Sequence, residues 1–180
     1  MIRKNIFLQN GDEKTYEIVE KLGAIHTLAD GYRTELNLIS WNGLDPVFDI
    51  RNWKGERFFY GTKISAEDME KMVAAYEDQF LSSGITCQDC ADNFVPEIID
   101  DDGNTSVNVY KKVVPLSKDK IHHEGFTWWL TVVAWNTNTP KFDIRPWTED
   151  FMHMGRGRNL TDEDMKNLRD LYRAKYPRTA

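Results

Sequence analysis

Followed for apolar and polar alternation, the chain divides into strand-like stretches closed by a helix, twice over. Tyr16 to Leu28 alternates loosely and stops before Asp30-Gly31. Glu35 to Trp41 alternates with a period of two, Val47 to Trp53 follows the turn residues Asn42-Gly43 and Asp45-Pro46, and Arg57 to Ile64 follows Lys54-Gly55. Runs of this kind, bounded by Gly, Pro, Asn and Asp, read as strands. The period then changes. Met69, Met72, Val73, Tyr76 and Phe80 fall three or four apart behind Ser65 and Asp68, which predicts an N-capped amphipathic helix ended by Gly84. Residues 1–15 read as a short extension. From residue 107 the order recurs, with strands over 107–116, 127–135, 141–147 and 151–160. A helix capped by Thr161 and Asp164 follows, bearing Met165, Leu168, Tyr172 and Tyr176.

The recurrence is also one of residues. Leu36–Trp53 aligns without a gap on Leu130–Trp147 at an offset of 94, with 9 of 18 positions identical, and the offset becomes 96 beyond them. A period this long indicates duplication of a small domain, not a solenoid. The expected fold is α+β, built from two β-β-β-β-α units with antiparallel curved sheets. They span residues 1–83 and 105–180, and an acidic connector covers 84–104.

Strand parity separates two faces in each sheet. Leu36, Leu38 and Ser40 with Phe48 and Ile50, matched by Leu130, Val132 and Ala134 with Phe142 and Ile144, should pack on a helix. The opposite face carries Trp41, Asp49, Arg51 and Trp53, matched by Trp135, Asp143, Arg145 and Trp147, with Trp129 and Lys141 beside them. Rings and guanidinium groups on an open sheet face suit single-stranded nucleic acid, whose unpaired bases stack at about 1–3 kcal/mol each. The structural alternative is that the Trp rings fill a second core layer and that Asp49–Arg51 and Asp143–Arg145 are internal ion pairs.

Net charge refines this picture. The total of −6 splits into −4 over residues 1–85, −6 over 86–103 and +4 over 104–180, so the second repeat is locally basic. No run is long and apolar enough to cross a membrane, none resembles a signal peptide, and two cysteines make no disulfide framework; a cytoplasmic protein is expected. Cys87-Gln-Asp-Cys90 reads as connector cysteines. Half a zinc site with His122-His123, or a redox pair, is the alternative. Asp100-Asp101-Asp102-Gly103 lacks the alternation of a calcium loop and reads as a solvated turn. No phosphate loop, nucleophile elbow or catalytic carboxylate pair stands out, so neither an enzyme nor a bound cofactor is expected.

Taken together, Trp-Asn…Pro-x-Phe-Asp-Ile-Arg-x-Trp, the hairpin Gly155-Arg156-Gly157-Arg158-Asn159-Leu160 and the Ser/Thr-capped helix resemble a known family. It is the YdbC-type relatives of the transcriptional coactivator positive cofactor four, within the Whirly-like group. The resemblance covers nearly all of residues 16–82 and 107–176. It implies grooves for single-stranded DNA, RNA being the alternative, and a role in transcription, replication or repair with the proteins of those processes. It also implies a pseudo-dimer within the chain, the helix faces Met69/Met72/Tyr76/Phe80 and Met165/Leu168/Tyr172/Tyr176 packed together. Bases would stack on Trp41, Trp53, Trp129, Trp135 and Trp147, while Arg51, Lys63, Lys141, Arg145, Arg156 and Arg158 would contact phosphates. The first repeat departs from the family at Tyr60-Gly61-Thr62-Lys63, with one base where the second has two arginines. A scaffold module that docks a partner through the acidic first half and connector is the competing class.

Overall fold

The computed structural model describes residues 4–7, 13–90, 97–99, 106–119, 124–136 and 138–179. It contains two antiparallel sheets. In the first, the strands run in chain order: β1 (Lys4–Phe7), β2 (Glu13–Thr27), β3 (Tyr32–Trp41), β4 (Val47–Lys54) and β5 (Arg57–Ile64). In the second, β6 (Glu97–Ile99), β7 (Ser106–Lys118), β8 (Thr127–Trp135), β9 (Lys141–Trp147) and β10 (Arg158–Leu160) are likewise meandering neighbours. The four expected strands and a helix therefore recur in each repeat, and the short edge strands β1 and β6 are added to them. The β1 strand lies in what reads as an extension from the sequence, and β6 lies in the connector. A second difference concerns the last strand of the second repeat. Only Arg158–Leu160 is extended, and Phe151 to Gly157 forms a loop with a single bridge, Trp147 to Met154.

The long strands β2 and β7 bend the sheets. Each slips register three times against its neighbour, at Ile18/Glu20, Lys21/Gly23 and Ala24/His26 in β2, and at Val109/Lys111, Lys112/Val114 and Pro115/Lys118 in β7. Each slip adds twist and bend. The first sheet curls so far that Tyr16 of β2 meets Phe58 of β5 edge-on at 5.4 Å, although two strands lie between them.

The helices form where their caps dictate. Ser65 Oγ accepts the Asp68 N–H at 3.1 Å and starts α1 (Ala66–Tyr76), which runs on through a π-helical turn to Leu81. Thr161 and Asp164 cap α2 (Asp162–Lys175) reciprocally, each side chain accepting the other's N–H at 3.0 Å. The sequence repeat and the compact unit are different divisions of the chain. One unit joins residues 1–69 to 166–180, and the other comprises 70–165. Each sheet thus packs against the helix that follows the other sheet. In the first unit Tyr172 of α2 and Tyr176 just beyond it sit edge-on to Phe48 at 5.4 Å, and Asn167 donates to the Ile25 carbonyl. Gly23, at φ 145, allows this approach, because a Cβ there would lie 2.9 Å from Leu171. In the second unit Tyr76 and Phe80 pack on Phe142 at 5.6 and 4.8 Å.

Candidate nucleic-acid interface

The repeated residues build the same frame on the concave face of each sheet. Asp49 accepts Nε and Nη2 of Arg51, at 2.7 and 2.9 Å, and Nη1 of Arg51 reaches the Phe59 carbonyl. In the second repeat Asp143 accepts Nε and Nη2 of Arg145, and Nη1 reaches the Gly155 carbonyl. Both guanidinium groups lie over the corresponding indole, Arg51 4.6 Å from Trp41 and Arg145 4.4 Å from Trp135. A glycine faces each arginine, Gly61 of β5 over Arg51 and Gly157, just before β10, over Arg145, and neither site has room for a Cβ. The Asn that follows each Trp has a structural duty as well. Asn42 and Asn136 adopt φ 52 and 53. Each clasps the start of the neighbouring long strand with N–H and Oδ1, on Thr15 and on Ser106.

The expected site residues therefore divide. Trp147 is 0% exposed, Trp53 4%, Trp41 7%, Arg51 7% and Arg145 8%. These five fill a second core layer, with Tyr16 and Ile39 in the first sheet and with Val107, Val109, Val133 and Phe151 in the second. Both aspartate–arginine pairs are internal, as the structural alternative anticipates. The other six lie nearer solvent. Trp129, Trp135, Lys141 and Arg158 are half-buried, and Lys63 and Arg156 are exposed. Five of those six belong to the second repeat.

Electrostatics separates the two faces further. The row Lys21–Asn37–Asp49–Lys63 crosses the first sheet, and Lys112–Thr131–Asp143–Asn159 crosses the second. Lys63 rests 4.5 Å from the Trp41 ring. Burial lowers its pKa, Asp49 opposes that, and Arg51 and Lys14 add to it. Glu35, buried beside this row, is bonded by Arg33 and Asn37. Burial would raise its pKa, but these partners and Lys21 hold it below the ordinary glutamate value. In the second row Asn159, with its amide oriented to donate to Asp143, accepts the Trp135 indole N–H at 2.8 Å. Burial raises the Asp143 pKa against the pull of Arg145. Three other indole N–H groups, on Trp41, Trp53 and Trp147, are buried with no acceptor among the described residues.

Sequence reasoning missed Lys112 and Phe151. Lys112 is exposed, with Nζ 3.8 Å from the Phe151 ring centroid. Parity counting hid it because β7 slips register beside it.

Cys87 and Cys90 are free and buried in a short 3-10 turn. The Cys87 N–H donates to Asp162, and burial together with that carboxylate pushes the thiol pKa far up. Among the described residues no three His, Cys, Asp or Glu side chains come together as metal ligands. His122, His123 and the Asp100-Asp101-Asp102 run lie outside the described residues. No described helix is long and apolar enough to cross a membrane.

The fold and its faces define a duplicated α+β protein with two curled, aromatic-lined sheets. No protein-family profile matches the chain. An uncharacterized protein of Treponema pallidum (strain Nichols) is 33% identical over 74 residues, which is 85% of that protein and 41% of this chain. The chain belongs to the family of that protein, and the matched length is close to that of one repeat.

Proposed function

We propose that this protein is a non-enzymatic single-stranded nucleic-acid-binding protein, with DNA favoured over RNA, acting in transcription, replication or repair. The observation that carries the reading is the seating of solvent-reaching cations on aromatic rings of both concave faces, Lys63 on Trp41 and Lys112 on Phe151, with the half-buried Trp129 and Trp135 beside them. Such a surface offers an unpaired base a ring to stack on and its phosphate a charge alongside. The buried five residues set the frame. Trp129, Trp135, Lys63, Lys112, Lys141, Arg156 and Arg158 are the contact residues, so the second repeat leads. Few phosphates are neutralised, which gives a shallow salt dependence. The finer architecture, a pseudo-dimer within the chain with its helices packed together, is part of the same proposal.

The test is a titration of intrinsic Trp fluorescence with an oligo-dT of about twenty nucleotides and with an equally long duplex, at low and near-physiological salt. Quenching by the single strand alone is expected. Arg156→Glu combined with Arg158→Glu should weaken it at least about ten-fold while leaving the thermal transition in place. No response to either nucleic acid at either salt would sink the reading and leave the scaffold class.

A further inference from the structure

The second repeat carries a loop that the first lacks, and its apex fills the concave face. Two extra residues enter here, since the offset between repeats rises from 94 to 96. The loop is tied by Thr148 and Asp150. Thr148 Oγ1 accepts the His153 N–H at 3.0 Å and donates to the Asp150 carboxylate at 2.6 Å, which also accepts the Met152 N–H at 3.0 Å. At the apex Phe151 is held at φ 59, in the left-handed region that a bulky side chain disfavours. Its ring lies almost parallel to Trp147, with centroids 5.2 Å apart and planes at 19°, and edge-on to Trp129 at 5.3 Å. The Lys112 ammonium sits against it at 3.8 Å. The Trp147 indole N–H, meanwhile, is buried without an acceptor among the described residues.

A flat ring stacked on an indole beneath an ammonium is what a bound base would present. Here the protein supplies that ring at the cost of backbone strain. We propose that Phe151 occupies a subsite for one unpaired nucleobase, and that a single strand enters by displacing the loop over residues 148–155. This deepens the function proposed above and rests on it. The base stacks on Trp147 against the edge of Trp129, and Lys112 holds the adjoining phosphate. Opening relaxes the left-handed backbone of Phe151, which lowers the cost of the exchange. In the first repeat Phe58 pairs with Trp53 as Met154 bridges to Trp147, and the shorter turn before Phe58, with Gly55 at φ 58, carries no ring that could take the place of Phe151.

The experiment is amide hydrogen exchange on the full chain with and without saturating oligo-dT, together with oligo-dT affinity of Phe151→Ala. On binding, amides of residues 148–155 should exchange several-fold faster, beginning with the His153 N–H. Phe151→Ala should bind about ten-fold tighter, because no ring has to leave first. Should that variant fail to fold, exchange on the unmodified chain decides. Unchanged or slower exchange in the loop of a saturated protein, or weaker binding by a folded Phe151→Ala, overturns the subsite and leaves the function intact. If neither the unmodified chain nor Phe151→Ala binds oligo-dT, both proposals fall.

Discussion

The two concave faces share a frame and differ in what fills it. In the first repeat the aspartate–arginine pair is flanked by charge: Glu35 with Arg33 on one side, and Lys63 in register with Asp49 on the other. In the second the same places hold Trp129, the Phe151 ring and the neutral amide of Asn159. Positions identical between repeats, such as Trp41/Trp135, Asn42/Asn136, Asp49/Asp143 and Arg51/Arg145, are explained by internal bonds or, for the Trp pair, by packing against the arginine. Identity between the copies therefore marks the fold, and the places where the copies diverge are where surface chemistry has been free to change.

The largest effect separating the faces should come from removing the shared acid. Asp49→Asn leaves Arg51 buried and also strips the nearby Lys63 of its counter-charge, whereas Asp143→Asn orphans Arg145 alone. Each should destabilise by about 3–5 kcal/mol, the usual penalty for an unpaired buried charge, with Asp49→Asn the worse. Urea unfolding midpoints give the comparison. Equal costs would mean that Lys63 does not share the Asp49 field.

Next come the glycines over the arginines. A Cβ on Gly157 would collide with backbone, the Ile144 carbonyl and the Arg145 Cα, which cannot move without breaking the β9–β10 pairing. A Cβ on Gly61 would meet only the end of the Arg51 side chain at 2.7 Å, a group with some freedom to shift. Gly157→Ala should therefore cost about 2–3 kcal/mol and Gly61→Ala about half as much. Thermal unfolding of the two variants checks the order, and a reversal would show that the Arg51 guanidinium is the more tightly fixed.

Much of this was legible before any coordinates. The duplication, the succession of β3 and β4 and of β8 and β9 across a turn, both caps and the shared face of Trp41, Arg51 and Trp53 and of Trp135, Arg145 and Trp147 follow from spacing alone. What spacing could not supply is closure. Period-two alternation says which side of a sheet a residue is on. It does not say that register slips in β2 and β7 will curl that side until Tyr16 touches Phe58, and so it left Trp41, Trp53 and Trp147 looking exposed. The apolar residues of the Phe151 loop mimic a strand because a left-handed residue leaves no mark on the pattern. The exchange of helices was hidden for a different reason. The Met69/Tyr76 and Met165/Tyr172 faces are equally apolar, so composition does not choose between the two sheets.

The smallest effect sharpens the comparison most, because it converts one rim into the other. Lys63 and Asn159 stand in register with equivalent aspartates, but only Asn159 accepts an indole N–H; Trp41 beside Lys63 has no acceptor among the described residues. Lys63→Asn trades a cation–π contact of about 0.5–1 kcal/mol for a hydrogen bond of similar net worth. Its stability should stay within about 1 kcal/mol of the parent. The reciprocal Asn159→Lys buries an unpartnered Trp135 N–H, which should cost about 1–3 kcal/mol. Urea midpoints of both, set beside oligo-dT affinity, separate frame from contact. Lys63→Asn should weaken binding without loosening the fold, and Asn159→Lys should loosen the fold around Trp135. If Lys63→Asn destabilised as much as its reciprocal, Lys63 would belong to the frame, and the first repeat would contribute no contact residue at all.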